Sequence, residues 1–424
     1  LMQIYQQALL NDPQVLQAKA QRDAQYAGID ETRANLLPTI SGNIGFNKGW
    51  DDINTERSLS SSFGGFDGGI SLNQVIYNHS AWVGLDIAEK TASRADAQYA
   101  GALQGLITRV ANAYFNVLTA ADTVDFTRAE KAAIERQLEQ TKQRFAVGLS
   151  AITAVHEAQA KFDLATADEI RAENDLENKY EVLREITGIE YDSLQGLSAE
   201  RFSPSAPQPS TSNEWQKIAE QSSLELLAAR LGMEVAKETI GFYKSGHMPS
   251  ITANAGYNAF KNQEAKRSVG GDFIDNWNQA NVGITMSIPI FEGFKVTSQV
   301  KKAQFDYVNA AQQLEQSHRS VTKQVRSNLN NVKANISAIR AYEQSVISAE
   351  SALKATQAGF EVGTRTIVDV LNRTRDLFNA KRQLSQSRYG YITAILSLKA
   401  AAGNLTEADV QQINAGLTET RTAE

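Results

Sequence analysis

The chain repeats itself. LPTISGNIGF at 37–46 aligns with MPSITANAGY at 248–257, and GISL at 69–72 aligns with GITM at 283–286. FAVGLSAITAVHE at 145–157 returns as FEVGTRTIVDVLN at 360–372, and LREITG at 183–188 as LKAAAG at 398–403. The mates lie 211 residues apart in the first pair, 214 in the second and 215 in the last two. Two collinear copies, about 1–205 and 206–424, restrict the fold to one with two equivalent halves. Their length difference accumulates mainly between the first two matches, which marks a loop tolerant of insertion.

Proline sets the coarse architecture. The seven prolines are Pro13, Pro38, Pro204, Pro207, Pro209, Pro249 and Pro289, and none falls in 78–187 or 292–403. An interior proline breaks a helix at a cost of about 3 kcal/mol, so these two stretches are free to be very long helices. Three prolines cluster in SPSAPQPSTS (203–212), a linker composition between the halves. Each half therefore predicts a helix, two strands, a long helix, a Val-Gly interruption and a second long helix. The strands are expected at 38–51 and 63–77, then at 249–262 and 280–290. The long helices are expected at 80–147 and 151–188, then at 292–361 and 366–403.

The helical stretches keep a seven-residue period. Val325, Val332, Ile339, Val346, Leu353 and Phe360 follow it without a gap, and so do Val370, Leu377, Leu384, Tyr391 and Leu398. In the first half Val110, Val117, Val124, Leu138 and Phe145 keep the period except at Lys131, and Val155, Phe162, Leu176 and Leu183 keep it except at Glu169. A strict heptad holds one seam only if the helices supercoil left-handedly. An ordinary soluble coiled coil satisfies the same pattern. Length is the unusual part: residues 80–147 as one helix would span about 100 Å.

The strand segments bear on the solvent. In 39–50, Ile40, Ile44, Phe46 and Trp50 share a face opposite Thr39, Ser41, Asn43, Gly45, Asn47 and Gly49. In 281–290, Val282, Ile284, Met286, Ile288 and Ile290 oppose Gly283, Thr285, Ser287 and Pro289. FDGGISLN (66–73) alternates likewise, and ITANAGYNA (251–259) does so more weakly. These segments match the roughly 9–11 alternating residues of a transmembrane strand. Alternation alone equally suits a small sheet packed on a helix, but the helices are too long to fold back over such a sheet. Four strands cannot close by themselves in lipid, where every backbone group needs a partner, so other chains must complete the cylinder.

Composition excludes several classes. Lys and Arg (42) are scattered and outnumbered by Asp and Glu (48), giving a net charge of −6, which argues against a nucleic-acid partner. No uncharged apolar run approaches the roughly 20 residues of a membrane helix. The absence of Cys removes disulfides, thiolate metal sites and a lipidated N-terminal Cys from this chain. LMQIYQQALL lacks the basic, apolar and small-residue pattern of an export leader, and the expectation is that any such leader has been removed. His79, His156, His247 and His318 have no paired ligand spacing, FGGFDGGIS lacks the Lys of a phosphate loop, and no catalytic triad or carboxylate pair stands out. The chain is read as a non-enzyme with no cofactor and no resident metal.

The duplicated half, YFNVLTAAD (114–122), RFAVGLSAIT (144–153), VGTRTIVDVLN (362–372) and the LLP and HMP strand entries together resemble the TolC family of outer-membrane channels. The likeness covers nearly the whole chain, and the lack of Cys matches the unlipidated branch. It implies an α+β membrane protein acting as a homotrimer. Three chains would form one 12-stranded transmembrane β-barrel, continued by a long α-helical coiled-coil barrel across the periplasm. Segments 189–213 and 404–424 would form a belt around its middle. The implied function is a passive exit duct in the outer membrane, surrounded by outer-membrane lipid. A periplasmic adaptor (membrane fusion protein) would join it to an inner-membrane pump of RND or ABC type, for export of toxic compounds and possibly of proteins by type I secretion. The alternative is a structural coiled-coil surface protein such as an adhesin or phage receptor.

The resemblance also assigns roles to the two Val-Gly turns. Val147, Gly148, Val362 and Gly363 would be the adaptor-docking tips, with glycine as the expected left-handed helix cap. The second-half helix pair would close the periplasmic entrance, with Arg365 as the gate arginine and Asp369 facing the pore. Three copies of Asp369 would form an anionic ring able to bind cations. TIVD (366–369) is also close to a capping box, so a purely local role for Asp369 stays open. Better-known members have Asp at the position of Ala154, Tyr at Phe360 and a second pore Asp at Asn372. Here Arg365 is left to bond Thr153, a carbonyl or another acid, and the expected gate is held more by apolar contact, with a single Asp ring.

Overall fold

The structure is a computed structural model and describes residues 1–53, 59–198, 202–262, 267–269, 272–274 and 276–422. Most of the described residues are helical, beside a small sheet. In chain order the elements are α1 (Met2–Asn11), α2 (Pro13–Ala34), β1 (Thr39–Ile53), β2 (Leu59–Tyr77), α3 (His79–Ala146), α4 (Ile152–Thr187), β3 (Ser193–Leu197), α5 (Ser212–Ser222) and α6 (Leu224–Lys244). Then follow β4 (Ser250–Asn262), β5 (Arg267–Val269), β6 (Asp272–Ile274), β7 (Asn276–Ser287), α7 (Lys295–Glu361), α8 (Ile367–Ala402), α9 (Glu407–Asn414) and β8 (Leu417–Thr422). Two compact units result, one of residues 1–20, 97–227 and 315–424, the other of residues 21–96 and 228–314. Each draws on both repeat halves, because strands and helices of one copy pair with those of the other.

The second unit carries an antiparallel sheet in the order β1-β2-β4-β7. Its register sorts the side chains by face. Ile40, Leu72, Ala255 and Val282 line up across the four strands, as do Gly42, Ile70, Tyr257 and Ala280. The opposite face aligns Ser41, Ser71, Gly256 and Asn281, and beside them Asn43, Gly69, Asn258 and Gln279. The apolar face is bare: Ile44 is 90% exposed, Val282 87% and Ile284 73%. Among the described residues β1 and β7 have no strand on their outer edges.

Two expected boundaries need correction here. The strand expected at 280–290 ends at Ser287, so Ile288, Pro289 and Ile290 lie beyond it. Proline has no N–H to donate to a ladder, and Pro289 cannot prolong the pairing. The helix expected from residue 292 begins at Lys295, since Gly293 and Phe294 hold left-handed φ of 60° and 62° that no α-helix accommodates.

The first unit is built on the heptad seams. Val110, Val117 and Val124 of α3, Leu183 of α4, Val325, Val332 and Ile339 of α7, and Val370 and Leu398 of α8 are all buried. The two exceptions in the first-half seams answer each other. Lys131 Nζ lies 2.7 Å from Glu169 Oε2, so the break in α3 meets the break in α4 as an ion pair. The glutamate also raises the Lys131 ammonium above the ordinary lysine value through that hydrogen bond.

The linker and the tail meet in this unit. β3 pairs antiparallel with β8, from Ser193 opposite Thr422 to Leu197 opposite Leu417. Tyr391 Oη of α8 donates to Ser205 O and accepts from Ser205 N, both at 2.9 Å, which ties the proline-rich stretch to a long helix. Residues 199–201 and 423–424 of the expected belt lie outside the described residues.

Candidate functional site

The two Val-Gly turns have nearly the same backbone. Gly148 has φ 77° and Gly363 φ 78°, conformations that cost a side-chain-bearing residue about 1–2 kcal/mol. In each, an amide reaches back five residues to recover a carbonyl left unpaired by the helix end. Leu149 N donates to Arg144 O at 2.8 Å, and Thr364 N donates to Gly359 O at 2.8 Å. Val147, Leu149 and Val362 are about 70% exposed, so both tips present bare apolar side chains.

The turns differ in how the next helix starts. At α8 the Thr366 hydroxyl accepts from Asp369 N at 3.3 Å, while Asp369 Oδ2 accepts from Thr366 N at 3.0 Å and from Thr366 Oγ1 at 2.9 Å. This is a complete capping box. At α4 the mates are Ala151 and Ala154, and no side chain caps the helix. The amide and then the hydroxyl of Thr366, with smaller help from the Arg365 and Arg373 charges, hold the Asp369 carboxyl below the usual aspartate range. Asp369 thus has a local task in every chain. Replacing Thr366 by Ala removes both hydroxyl contacts and should cost about 1 kcal/mol, measurable as a lower denaturation midpoint, whereas the same test at Ser150 should change nothing.

Around the turns, all four long helices share one apolar cluster. Ile134 and Leu138 of α3, Ala158 of α4, and Ile367, Val370 and Leu371 of α8 are buried in it, and Phe360 of α7 packs against them. The Arg144 guanidinium lies 4.8 Å from the centroid of the Phe360 ring, a cation–π contact between the first-half and second-half tips. Arg365 is exposed, and its guanidinium makes no hydrogen bond or ion pair among the described residues. Its stem instead lies over Gly359, where a Cβ would meet Arg365 Cγ at 2.8 Å. The expected bond to Thr153, a carbonyl or another acid is therefore not made among the described residues. Thr153 is exposed and Asn372 half-buried. Among the described residues no group of three His, Asp or Glu is arranged to hold a metal.

Sequence reasoning missed the polar links between α3 and α8. Asp122 is buried and accepts from Ser385 Oγ and, at 2.9 Å, from Tyr389 Oη. Eight residues further along α3, Glu130 Oε2 lies 3.1 Å from Arg382 Nη1. Burial raises the Glu130 carboxyl above the ordinary glutamate value despite the arginine beside it. A signal existed, since 382, 385 and 389 fall on one helix face and 122 and 130 on another. Arg144 was missed because a cation–π contact leaves no trace in spacing. In the 114–122 motif, Tyr114 donates to Gln195 O and Phe115 stacks on Tyr389 at 5.8 Å.

The family model described as Outer membrane efflux protein matches residues 4–189 and 215–404. The chain belongs to the outer membrane efflux protein family. It is 51% identical over 420 residues to outer membrane protein TolC of Vibrio cholerae, covering 98% of this chain and 93% of that protein. TolC of Escherichia coli is 43% identical over 98% of this chain and 85% of its own length. The alkaline protease secretion protein AprF of Pseudomonas aeruginosa is 28% identical over 98% of this chain and 86% of its length. Among solved structures, the Campylobacter jejuni CmeC outer membrane channel superposes with a TM-score of 0.83 over 98% of this chain and 88% of that one at 16% identity, which speaks to the fold. This efflux protein is an exit duct of the outer membrane, and the surface-rod alternative finds no support among its relatives. No helix among the described residues is long and apolar enough to cross a membrane.

Proposed function

We propose that three copies of this efflux protein assemble with the sheet of each supplying four strands to one 12-stranded barrel, and with the long helices forming a tunnel. One observation carries this reading: the sheet has an exposed apolar face, a face mostly of Ser, Asn and Gly, and two edges that are unpaired among the described residues. An open edge is untenable in lipid, and neighbouring copies satisfy it most simply. The family model matching once in each half supports an origin by duplication. The duct is passive, and energy comes from an inner-membrane pump of RND or ABC type through a periplasmic adaptor. The kinship with AprF supports protein cargo as well as small toxic molecules.

The exposed valines at Val147 and Val362 suit an apolar adaptor hairpin docking at both tips. The second-half tip forms the gate. Phe360, held by the shared cluster and by Arg144, keeps the inner pair against the outer pair, and Arg365, whose guanidinium makes no hydrogen bond or ion pair among the described residues, reaches a neighbouring chain. Three Asp369 carboxylates ring the entrance. Each begins with a lowered pKa from its capping box, and proximity of the three pushes it back up.

Reconstitution in planar bilayers tests the reading. The protein should require detergent, migrate as an oligomer, and give cation-selective conductance. Asp369→Asn should move the reversal potential toward zero selectivity, while an unchanged reversal potential removes Asp369 from the pore. A protein that stays monomeric without detergent ends the barrel proposal.

A further inference from the structure

The polar face of the sheet is interrupted near its hairpin end. Four successive rows can be followed across all four strands on that face. Three of them contain only Thr, Ser, Asn, Gln and Gly, from Thr39–Asn73–Asn254–Gly283 to Asn43–Gly69–Asn258–Gln279. The fourth is Gly45–Asp67–Phe260–Trp277. Phe260 and Trp277 stack with centroids 6.2 Å apart and planes at 27°, and the Trp277 side remains 45% exposed. Directly opposite Phe260 in the ladder stands Asp67, whose carboxylate accepts from Asn47 Nδ2 at 2.5 Å and folds over Gly45, where a Cβ would come within 2.7 Å of it.

We infer that Asp67, Phe260 and Trp277 form a subsite for a flat aromatic cation on the polar face of the sheet. The chemistry follows from the row. Two aromatic faces left in water on a surface otherwise of amides, hydroxyls and glycine lose free energy unless something covers them. Register neighbours stand roughly 5 Å apart, so the carboxylate and the two rings span about 10 Å over three strands. That span matches a molecule with a charged end beside Asp67 and a flat body lying on the rings. An anion meets the Asp67 charge, and a sugar lacks the flat apolar body. Gly45 is necessary to the arrangement, because any side chain there displaces the carboxylate.

The inference rests on the reading that this face lines the water-filled barrel. The test uses the protein in planar bilayers, with proflavine, a flat aromatic cation at neutral pH, added on the hairpin side and the concentration for half-block measured. Phe260→Leu combined with Trp277→Leu should raise that concentration about fivefold to tenfold, and Asp67→Asn should raise it about fivefold. Pyrene-1-sulfonate, flat and aromatic but anionic, should not block. If wild-type block proceeds with the same half-block concentration in all the Asp67, Phe260 and Trp277 variants, the subsite is overturned while the duct stands. If the wild type does not conduct, the duct reading itself falls.

Discussion

Gly403→Ala should destabilise this efflux protein by about 3 kcal/mol or more, whereas its repeat mate Gly188→Ala should cost only about 1–2 kcal/mol. Both glycines end a long helix in the left-handed region, with φ 76° and 71°. The conformational penalty is therefore shared, and only the surroundings differ. A Cβ on Gly188 meets nothing within 4 Å, while one on Gly403 would lie 2.2 Å from Ser222 O and 2.7 Å from Ser223 Cα. Those are backbone atoms at the break between α5 and α6, where Ser223 N is bonded to Ala219 O, so they cannot rotate aside as a side chain would. Gln104 adds a second constraint by donating to Gly403 O and Leu405 O at 3.1 and 3.2 Å. Relief requires the end of α8 to move away from α5 and Gln104 to lose both acceptors. Thermal denaturation followed by the helical circular dichroism signal should rank the variants wild type, Gly188→Ala, then Gly403→Ala, and equal midpoints for the two variants would sink the argument.

The comparison also measures what the sequence could convey. The repeat aligns both glycines, in LREITG and LKAAAG, and each is a left-handed helix cap. It could not tell that one faces solvent and the other a backbone, since both halves carry the same helix break, at Asp12 between α1 and α2 and at Ser223 between α5 and α6, and only the second presses on its capping glycine. The heptads behaved in the same way. They located the seams correctly but read Lys131 and Glu169 as two separate faults, when the fold pairs them at 2.7 Å. A period reports which face a residue takes, not which partner stands across from it.

At the tips the division is similar. Thr366 and Asp369 were legible as a capping box because both partners lie within one helical turn, and the structure makes all of its hydrogen bonds. Phe360 was legible as an apolar position, but the Arg144 guanidinium above it was not, because the contact crosses from one hairpin to the other. The strand ends erred where a single chemical fact overrode alternation: Ile288 and Ile290 keep the pattern, but Pro289 between them has no N–H to donate to a ladder. Asp122 was quoted within a motif and its burial still went unread, since its partners Ser385 and Tyr389 lie more than 260 residues away.

Arg382→Met should be strongly damaging, costing about 3–5 kcal/mol near neutral pH. Glu130 is 12% and Arg382 19% exposed, and the arginine is the cation that hydrogen-bonds this carboxylate, with Asn379 holding its other nitrogen. Removing it leaves a buried anion between α3 and α8. Burial already raises the Glu130 pKa, and the arginine is the chief opposing influence. Without it the folded value rises further above the unfolded one. The stability of such a group is complete below its unfolded pKa and is lost as pH rises through the folded pKa. The deficit of Arg382→Met should therefore be greatest at neutral and alkaline pH and shrink on acidification toward the ordinary glutamate value. The second substitution separates charge from packing: Glu130→Gln in the Arg382→Met background should recover most of the loss at neutral pH, since an amide needs no counter-charge, and should flatten the pH dependence. A double variant as unstable and as pH-sensitive as the single one would mean that the guanidinium acts through its packing rather than as the partner of Glu130.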